Sequence, residues 1–234
     1  SAIYSSDFTP PTAPLTAITN TKFLLNPEPS ISDLSQKHTL TCIGDVATDS
    51  TTVKFAGTKS IAFDGTGDAI ISNRPNSTAH DLAGPFTVEC WVRTSSTGNQ
   101  FFWCQGIYKI EMGIYANNLR MYRAAGNSYT NFFTAGEFSI NNWHHVALVR
   151  DSSSVIKCYL NGTASSTTVT DATTYASQAG STGSHFSAFV IGAEYGSLTS
   201  VNWGVNGYIQ DLRVTKGLAR YTSNFTPPTA ELQG

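Results

Sequence analysis

Short runs in which apolar and polar residues alternate, each bounded by turn residues, follow one another along most of the chain. The 3.6-residue period of an amphipathic helix is nearly absent. The runs are Lys22–Leu25, Ser60–Asp64, Ala69–Ser72, Phe86–Arg93, Gln100–Cys104, Tyr108–Tyr115, Asn118–Arg123, Tyr129–Thr134, Trp143–Arg150, Val155–Leu160, Ala188–Gly192 and Gly207–Thr215. Turn signals fall between them at Asp64-Gly65, Gly98-Asn99, Asn117-Asn118, Asp151–Ser154 and Asn161-Gly162. A succession of strands with hairpin connections predicts an all-β, antiparallel two-sheet sandwich. The pattern predicts a short helical turn around Lys216–Arg220 and a long Ser/Thr-rich loop over 163–184. No interior stretch reads as a linker, so residues 16–234 form one domain.

The two ends repeat one another. Tyr4-Ser-Ser-Asp-Phe-Thr-Pro-Pro-Thr-Ala-Pro-Leu15 returns as Tyr221-Thr-Ser-Asn-Phe-Thr-Pro-Pro-Thr-Ala-Glu-Leu232, 217 residues later, with nine of twelve positions identical. Paired prolines fix φ and remove backbone donors, so neither copy can be a central strand. Each reads as an extended strap that Tyr and Phe anchor, with Pro-Pro as a semi-rigid exit. Residues 1–15 are then either a strap mirroring the C-terminal one or the junction to a preceding copy in a tandem array.

Composition narrows the function classes. Of 234 residues 40% are hydrophobic, enough for a sizeable core, and only 13% are charged. A net charge of −2 provides no basic field for nucleic acid or anionic lipid, and no apolar run is long enough to span a membrane. Cys42, Cys90, Cys104 and Cys158 are too few and too scattered for a disulfide scaffold or a zinc site, and read as free thiols.

Six ordered blocks carry a family resemblance. They are Lys59-Ser-Ile-Ala-Phe-Asp-Gly-Thr-Gly-Asp-Ala69, Phe86-Thr-Val-Glu-Cys-Trp-Val-Arg93, Trp143-His-His-Val-Ala-Leu-Val-Arg150, Cys158-Tyr-Leu-Asn-Gly162, Val190-Ile-Gly-Ala193 and Asn206-Gly-Tyr-Ile-Gln-Asp-Leu-Arg213. Together they resemble the laminin-G-like jelly roll of the concanavalin A-like lectin/glucanase superfamily. The closing Arg213–Thr229 segment resembles the variant found in bacteriophage tail-fibre and virion proteins. The resemblance implies a module at the surface of a virion that binds host glycans, or a structural or decoration protein that contacts other virion proteins. A homo-oligomer would suit either setting.

The glucanase branch uses Glu, Asp and Glu at alternating positions of one strand. Glu89 and Glu111 each stand alone in theirs, so a non-catalytic module is expected. His144 and His145 are adjacent on a strand, point to opposite faces and cannot chelate one ion together. Calcium is the better metal reading, because hard cations take loop carboxylates and jelly rolls of this superfamily often hold an ion at the rim. Asp64 and Asp68 flank Gly65-Thr66-Gly67, and the competing reading gives Asp64 to the turn and Asp68 to the strand end. Asp211 lies in a block where the family often has an acid. Glu194 resembles the calcium-binding Glu of pentraxins, but Gly196 stands where a second acid would follow.

A sugar site would pair aromatic rings with polar neighbours. Trp103, Tyr108, Tyr129, Phe132, Phe133, Tyr175, Tyr195 and Trp203 fall in loops or at strand ends. Trp203, with Asn202 and Asn206 beside it and with Tyr195 and Tyr175, forms the candidate glycan-binding set. Core packing is the competing role for each ring, and Trp91 and Trp143 are assigned to packing outright.

Overall fold

A computed structural model describes residues 20–73, 81–105, 109–123, 127–134, 136–175, 189–197 and 200–231. Residues 1–15, and with them the first strap, lie outside the described residues. All secondary structure among the described residues is β. The strands are β1 Thr21–Asn26, β2 Ser32–Asp33, β3 Thr39–Ile43, β4 Ala47–Asp49, β5 Ser60–Asp64, β6 Ala69–Asn73, β7 Phe86–Thr94, β8 Gln100–Gln105 and β9 Ile110–Tyr115. They continue with β10 Asn118–Arg123, β11 Ser128–Thr134, β12 His144–Arg150, β13 Val155–Leu160, β14 Thr163–Thr170, β15 Phe189–Ile191, β16 Glu194–Ser197, β17 Ser200–Asn202 and β18 Asn206–Lys216.

Two antiparallel sheets face one another. The first runs β14-β13-β12-β7-β18-β1-β2, with β5 also paired to β18 and β4 to β5. The second runs β11-β10-β9-β8-β15-β6-β3, and β16 and β17 form a separate hairpin. Strand alternation explains the layering, because successive side chains point to opposite faces. Phe86, Val88, Cys90 and Val92 of β7 enter the core between the sheets, as do Ile110, Met112 and Ile114 of β9 and Leu119 and Met121 of β10. The intervening residues form the two outer faces, and these meet different fates.

On the first sheet the outer face is covered by the C-terminal strap. Tyr221 and Phe225 stack on one another with centroids 3.6 Å apart and pack on His145 and Tyr159. Under them Glu89, fully buried, is held by four contacts from three residues. Arg213 donates from Nε at 3.0 Å and Nη2 at 2.7 Å, the Tyr221 hydroxyl donates at 2.6 Å, and His145 Nε2 lies 3.2 Å away. Burial alone would raise this carboxyl, but the Arg213 charge and the His145 and Tyr221 contacts bring it down to about 2. His144 points the other way, stacking on Phe138 at 4.4 Å, which agrees with opposite faces for the two histidines.

Two local expectations are corrected and a third, the free thiols, holds. Part of the 163–184 loop is strand: β14 pairs with β13, because its β-branched threonines suit an edge position with alternate side chains in water. Residues 176–188 lie outside the description. Lys216 ends β18 and residues 217–220 are irregular rather than helical; Gly217 has φ +78°, and the Arg220 N–H bonds Thr87 Oγ1 at 2.9 Å. The four cysteines are free, with Cys90, Cys104 and Cys158 buried and Cys42 exposed.

Candidate functional site

The outer face of the second sheet is only half covered. Over β6, β15 and β8 the β16–β17 hairpin buries Ala69, Ile71, Cys104, Val190 and Ala193, with Val201 packed on them. Over β9, β10 and β11 the face stays open, and its outward phase carries Glu111, Tyr115, Arg120, Tyr122 and Tyr129. Where the hairpin stops, the chain turns at Trp203 with φ +46° and crosses the edge of β8. The Phe101 N–H holds it by donating to the Trp203 carbonyl at 3.0 Å.

The result is a pocket of about 280 Å³ lined by Phe101, Glu111, Tyr115, Tyr122, Tyr129, Glu194 and Trp203. The rings form a connected set. Trp203 lies 5.7 Å from Phe101 and 5.6 Å from Tyr115, and Tyr129 lies 6.3 Å from Tyr115 and 4.9 Å from Tyr122. Trp203 and Tyr129 are 42% and 53% exposed, which leaves ring surface to a ligand although Arg120 covers one face of Tyr129. The Arg120 guanidinium sits between Tyr115 and Tyr129, 4.1 and 3.7 Å from their centroids. Glu111 and Glu194 are buried, at 1% and 2% exposure. Desolvation pushes the Glu194 carboxyl up to about 7.

A second cluster lies at the sandwich rim. Asp45, Asp64 and Asp68 bring one carboxylate oxygen each within 4.8 Å of the others, beside a cavity of about 340 Å³ that Ser95 and Asn206 also line. Asp68 is buried and accepts the Asp45 N–H at 2.9 Å and the Asp64 N–H at 3.0 Å, tying two turns together. Desolvation raises its carboxyl above the usual value, against the pull of those two hydrogen bonds. Three converging hard oxygen donors fit a divalent cation, and Asp45 and Asp64 are exposed enough to receive one.

The sequence-predicted residues are thus divided between sites. Trp203 and Glu194 share the aromatic pocket, so Glu194 is no part of the aspartate cluster. Asn202 pairs with Glu194 across the hairpin, whereas Asn206 belongs to the rim cavity. The Tyr195 backbone pairs with Val201, and its side chain lies outside the described residues. Tyr175 is buried, with its hydroxyl donating to Asp171 at 2.6 Å, so the core role applies. Asp211 is buried at a bulge in β18, with φ +56°, away from the cluster of Asp45, Asp64 and Asp68. Trp103, Phe132 and Phe133 are core residues, and Tyr108 lies outside the description.

Sequence reasoning missed Asp45, Glu111, Tyr115, Arg120 and Tyr122. A signal existed for the tyrosines. In Ile110–Tyr115 and Asn118–Arg123 the apolar phase is Ile110, Met112, Ile114, Leu119 and Met121, which leaves Tyr115 and Tyr122 on the phase that faces water. Large aromatics there mark a binding face more sharply than aromatics in loops do.

Residues 64–218 match the family described as the concanavalin A-like lectin/glucanases superfamily. No curated protein sequence matches the chain. Among solved structures, the receptor binding domain of botulinum neurotoxin C/D mosaic serotype superposes with a TM-score of 0.61 at 14% identity, covering 86% of this chain and 49% of that one. The serotype D ligand binding domain in complex with N-acetylneuraminic acid gives 0.61 at 14% identity, covering 86% and 48%. This chain therefore spans about half the length of those neurotoxin domains. Domain 4 of AbnA, an extracellular arabinanase of Geobacillus stearothermophilus in complex with arabinotriose, gives 0.58 at 16% identity and covers 86% and 94%. At these identities the likeness is one of fold.

Proposed function

We propose that this chain, which belongs to the concanavalin A-like lectin/glucanases superfamily, is a non-catalytic carbohydrate-binding module whose sugar site is the pocket between Trp203 and Tyr129. The carrying observation is the open set of rings on the outward phase of the second sheet, flanked by buried carboxylates. Sugar rings present apolar C–H faces that stack on aromatic side chains, while their hydroxyls donate to carboxylate oxygens. That solved relatives of the fold hold N-acetylneuraminic acid and arabinotriose supports the reading.

A calcium ion forms part of this proposal, with Asp45, Asp64 and Asp68 as its holders. A bound cation there would brace the two turns that Asp68 already joins, next to the 203–206 segment that also carries Trp203. We assign the module to the surface of a virus particle, on the resemblance of Arg213–Thr229 to virion proteins, with a host glycan as partner. A glycan array read with and without calcium tests the function. Hits that vanish in Trp203→Ala support it, and an array blank under both conditions defeats it.

Glu111 and Glu194 both line this pocket, and glycosidases work with a pair of carboxylates. Release of reducing ends from any bound oligosaccharide, abolished by Glu194→Gln, would replace the non-catalytic reading. The second reading, a structural or decoration protein, is favoured by the groove of about 540 Å³ between Phe55, Trp91, Trp143, Pro227 and Pro228, where the strap leaves the sandwich. Light scattering that gives a stable oligomer, with no glycan hit, would favour it.

A further inference from the structure

We infer, resting on the glycan-binding reading, that the aromatic pocket selects sugars bearing a positively charged amino group over their neutral N-acetylated and acidic counterparts. The chemistry of the lining is lopsided. An ionised carboxylate only accepts hydrogen bonds, and the pocket holds two, Glu111 and Glu194, both buried. Its other walls are the rings of Phe101, Tyr115, Tyr122, Tyr129 and Trp203. Ring faces attract cations, and aromatic cages are the usual receptors for ammonium and quaternary ammonium groups. An ammonium on a sugar would satisfy both halves of this lining, donating to the carboxylates while it rests against the rings. An N-acetyl group offers one donor and no charge, and a uronate would set a third carboxylate beside the first two.

The protein already places one cation against these rings. The Arg120 guanidinium is sandwiched between Tyr115 and Tyr129, beside the pocket rather than in its lining. Its charge offsets one carboxylate, so the field inside turns more negative as Glu194 ionises. Selection should therefore strengthen as pH rises. Glu194 ionises near pH 7 because burial disfavours its charge. The other titratable groups on the elements around it are Glu111 on β9, Cys104 on β8, the hydroxyls of Tyr115, Tyr122 and Tyr129, and Arg120.

The test is calorimetric titration of the whole chain with four oligosaccharides of equal length: glucosamine with free amines, the N-acetylated form, the N-trimethylated form and a uronate. The trimethylated ligand keeps its charge at every pH, so any pH dependence belongs to the protein. At about pH 8 the trimethylated oligomer, and at about pH 7 the free-amine oligomer in proportion to its charged fraction, are expected to bind tighter than the acetylated one, the trimethylated by about tenfold or more. For the trimethylated oligomer that preference should shrink several-fold by about pH 5.5, and Glu194→Gln should remove most of it at either pH while retaining acetylated binding. Equal or tighter binding of the acetylated or uronate oligomer, lost in Trp203→Ala, would overturn charge selection and leave the glycan site standing. Absence of Trp203-dependent binding in all four arms would overturn both.

Discussion

The Trp203 indole meets the Tyr115 ring edge-on, with centroids 5.6 Å apart and planes at 85°. Trp203 reaches that position from the segment after β17, and Tyr115 stands at the end of β9, so the contact joins the hairpin edge to the open sheet. Trp203 is 42% exposed, and its ring packs on Phe101 and Tyr115. Trp203→Ala should therefore cost stability by only about 1 kcal/mol or less. Glycan affinity should fall about tenfold or more, since aromatic anchors dominate such contacts. Calorimetry with a bound glycan, paired with thermal melts, checks both halves. Equal losses of binding and folding would mean the ring is structural.

The Glu89 carboxylate makes the fold acid-sensitive. Its folded value is lowered to about 2 from an ordinary 4.5. A lowered carboxyl stabilises the protein fully above the unfolded value, and that contribution disappears as pH falls from about 4.5 through about 2. The difference corresponds to on the order of 3 kcal/mol. Glu89→Gln should flatten this acid limb and cost roughly 3–5 kcal/mol at neutral pH by leaving Arg213 buried beside a neutral partner. Urea titrations across pH 2–7 measure both effects. An unchanged acid limb in the variant would assign the acid sensitivity to other groups.

The sandwich was legible because alternation is a local signal and each hairpin announces its own turn. Each of the twelve predicted runs overlaps a strand, with only end residues such as Lys109, Trp143 and Gly192 falling outside. β14 escaped because Ser and Thr suit loops and edge strands equally, and only its pairing with β13 decides between them. The site was half legible for a different reason. Trp203 stood out beside asparagines, but its partners Tyr115, Tyr122 and Glu111 come from strands some 80 to 90 residues earlier in the chain. Asp45 joins Asp64 and Asp68 in the same way, through the pairing of β3 with β6, which no spacing in the sequence reveals.

Glu194 has the opposite pH signature from Glu89. Burial raises its carboxyl from 4.5 to about 7. A raised carboxyl favours the folded state when protonated, so stability is retained below the unfolded value and lost as pH rises from about 4.5 through about 7. Glu194→Gln, which cannot ionise, should melt with wild type near pH 4 and higher than wild type near pH 8. The gain should be at most about 3 kcal/mol. Melts across that range decide it, and a variant less stable at pH 8 would show that the ionised carboxylate is well paired.

The strap depends on a glycine. Gly162 has φ +81°, and a Cβ there would run into the Phe225 carbonyl. The Phe225 N–H in turn donates to the Gly162 carbonyl at 2.9 Å. Gly162→Ala should displace the strap and destabilise by more than about 1 kcal/mol, through strained φ and a forced contact together. Tyr221→Phe, which only removes the 2.6 Å hydrogen bond to Glu89, should cost about 1.5–3 kcal/mol with the strap still seated. Limited proteolysis near residue 221 separates the two: faster cleavage in Gly162→Ala alone is expected. Cleavage at the wild-type rate in both would mean that the strap seats without this turn.

Calcium binding at the rim can be separated from the structural work of Asp68. If Asp45, Asp64 and Asp68 hold a cation, added calcium should raise the melting temperature in proportion to the logarithm of its concentration above Kd, because the ion binds only the folded chain. Asp45 is exposed and takes part through its carboxylate, so Asp45→Asn should leave metal-free stability within about 0.5 kcal/mol and abolish most of the calcium increment. Asp68→Asn should do more. Its carboxylate accepts N–H groups at both oxygens, from Asp45 and Asp64, and an amide can accept at only one of them. The metal-free protein should then lose about 1–3 kcal/mol as well as its calcium response. Melts with chelator and over a calcium series distinguish these outcomes, and a wild-type melting temperature indifferent to calcium would reduce the cluster to the turn-tying role that Asp68 already performs.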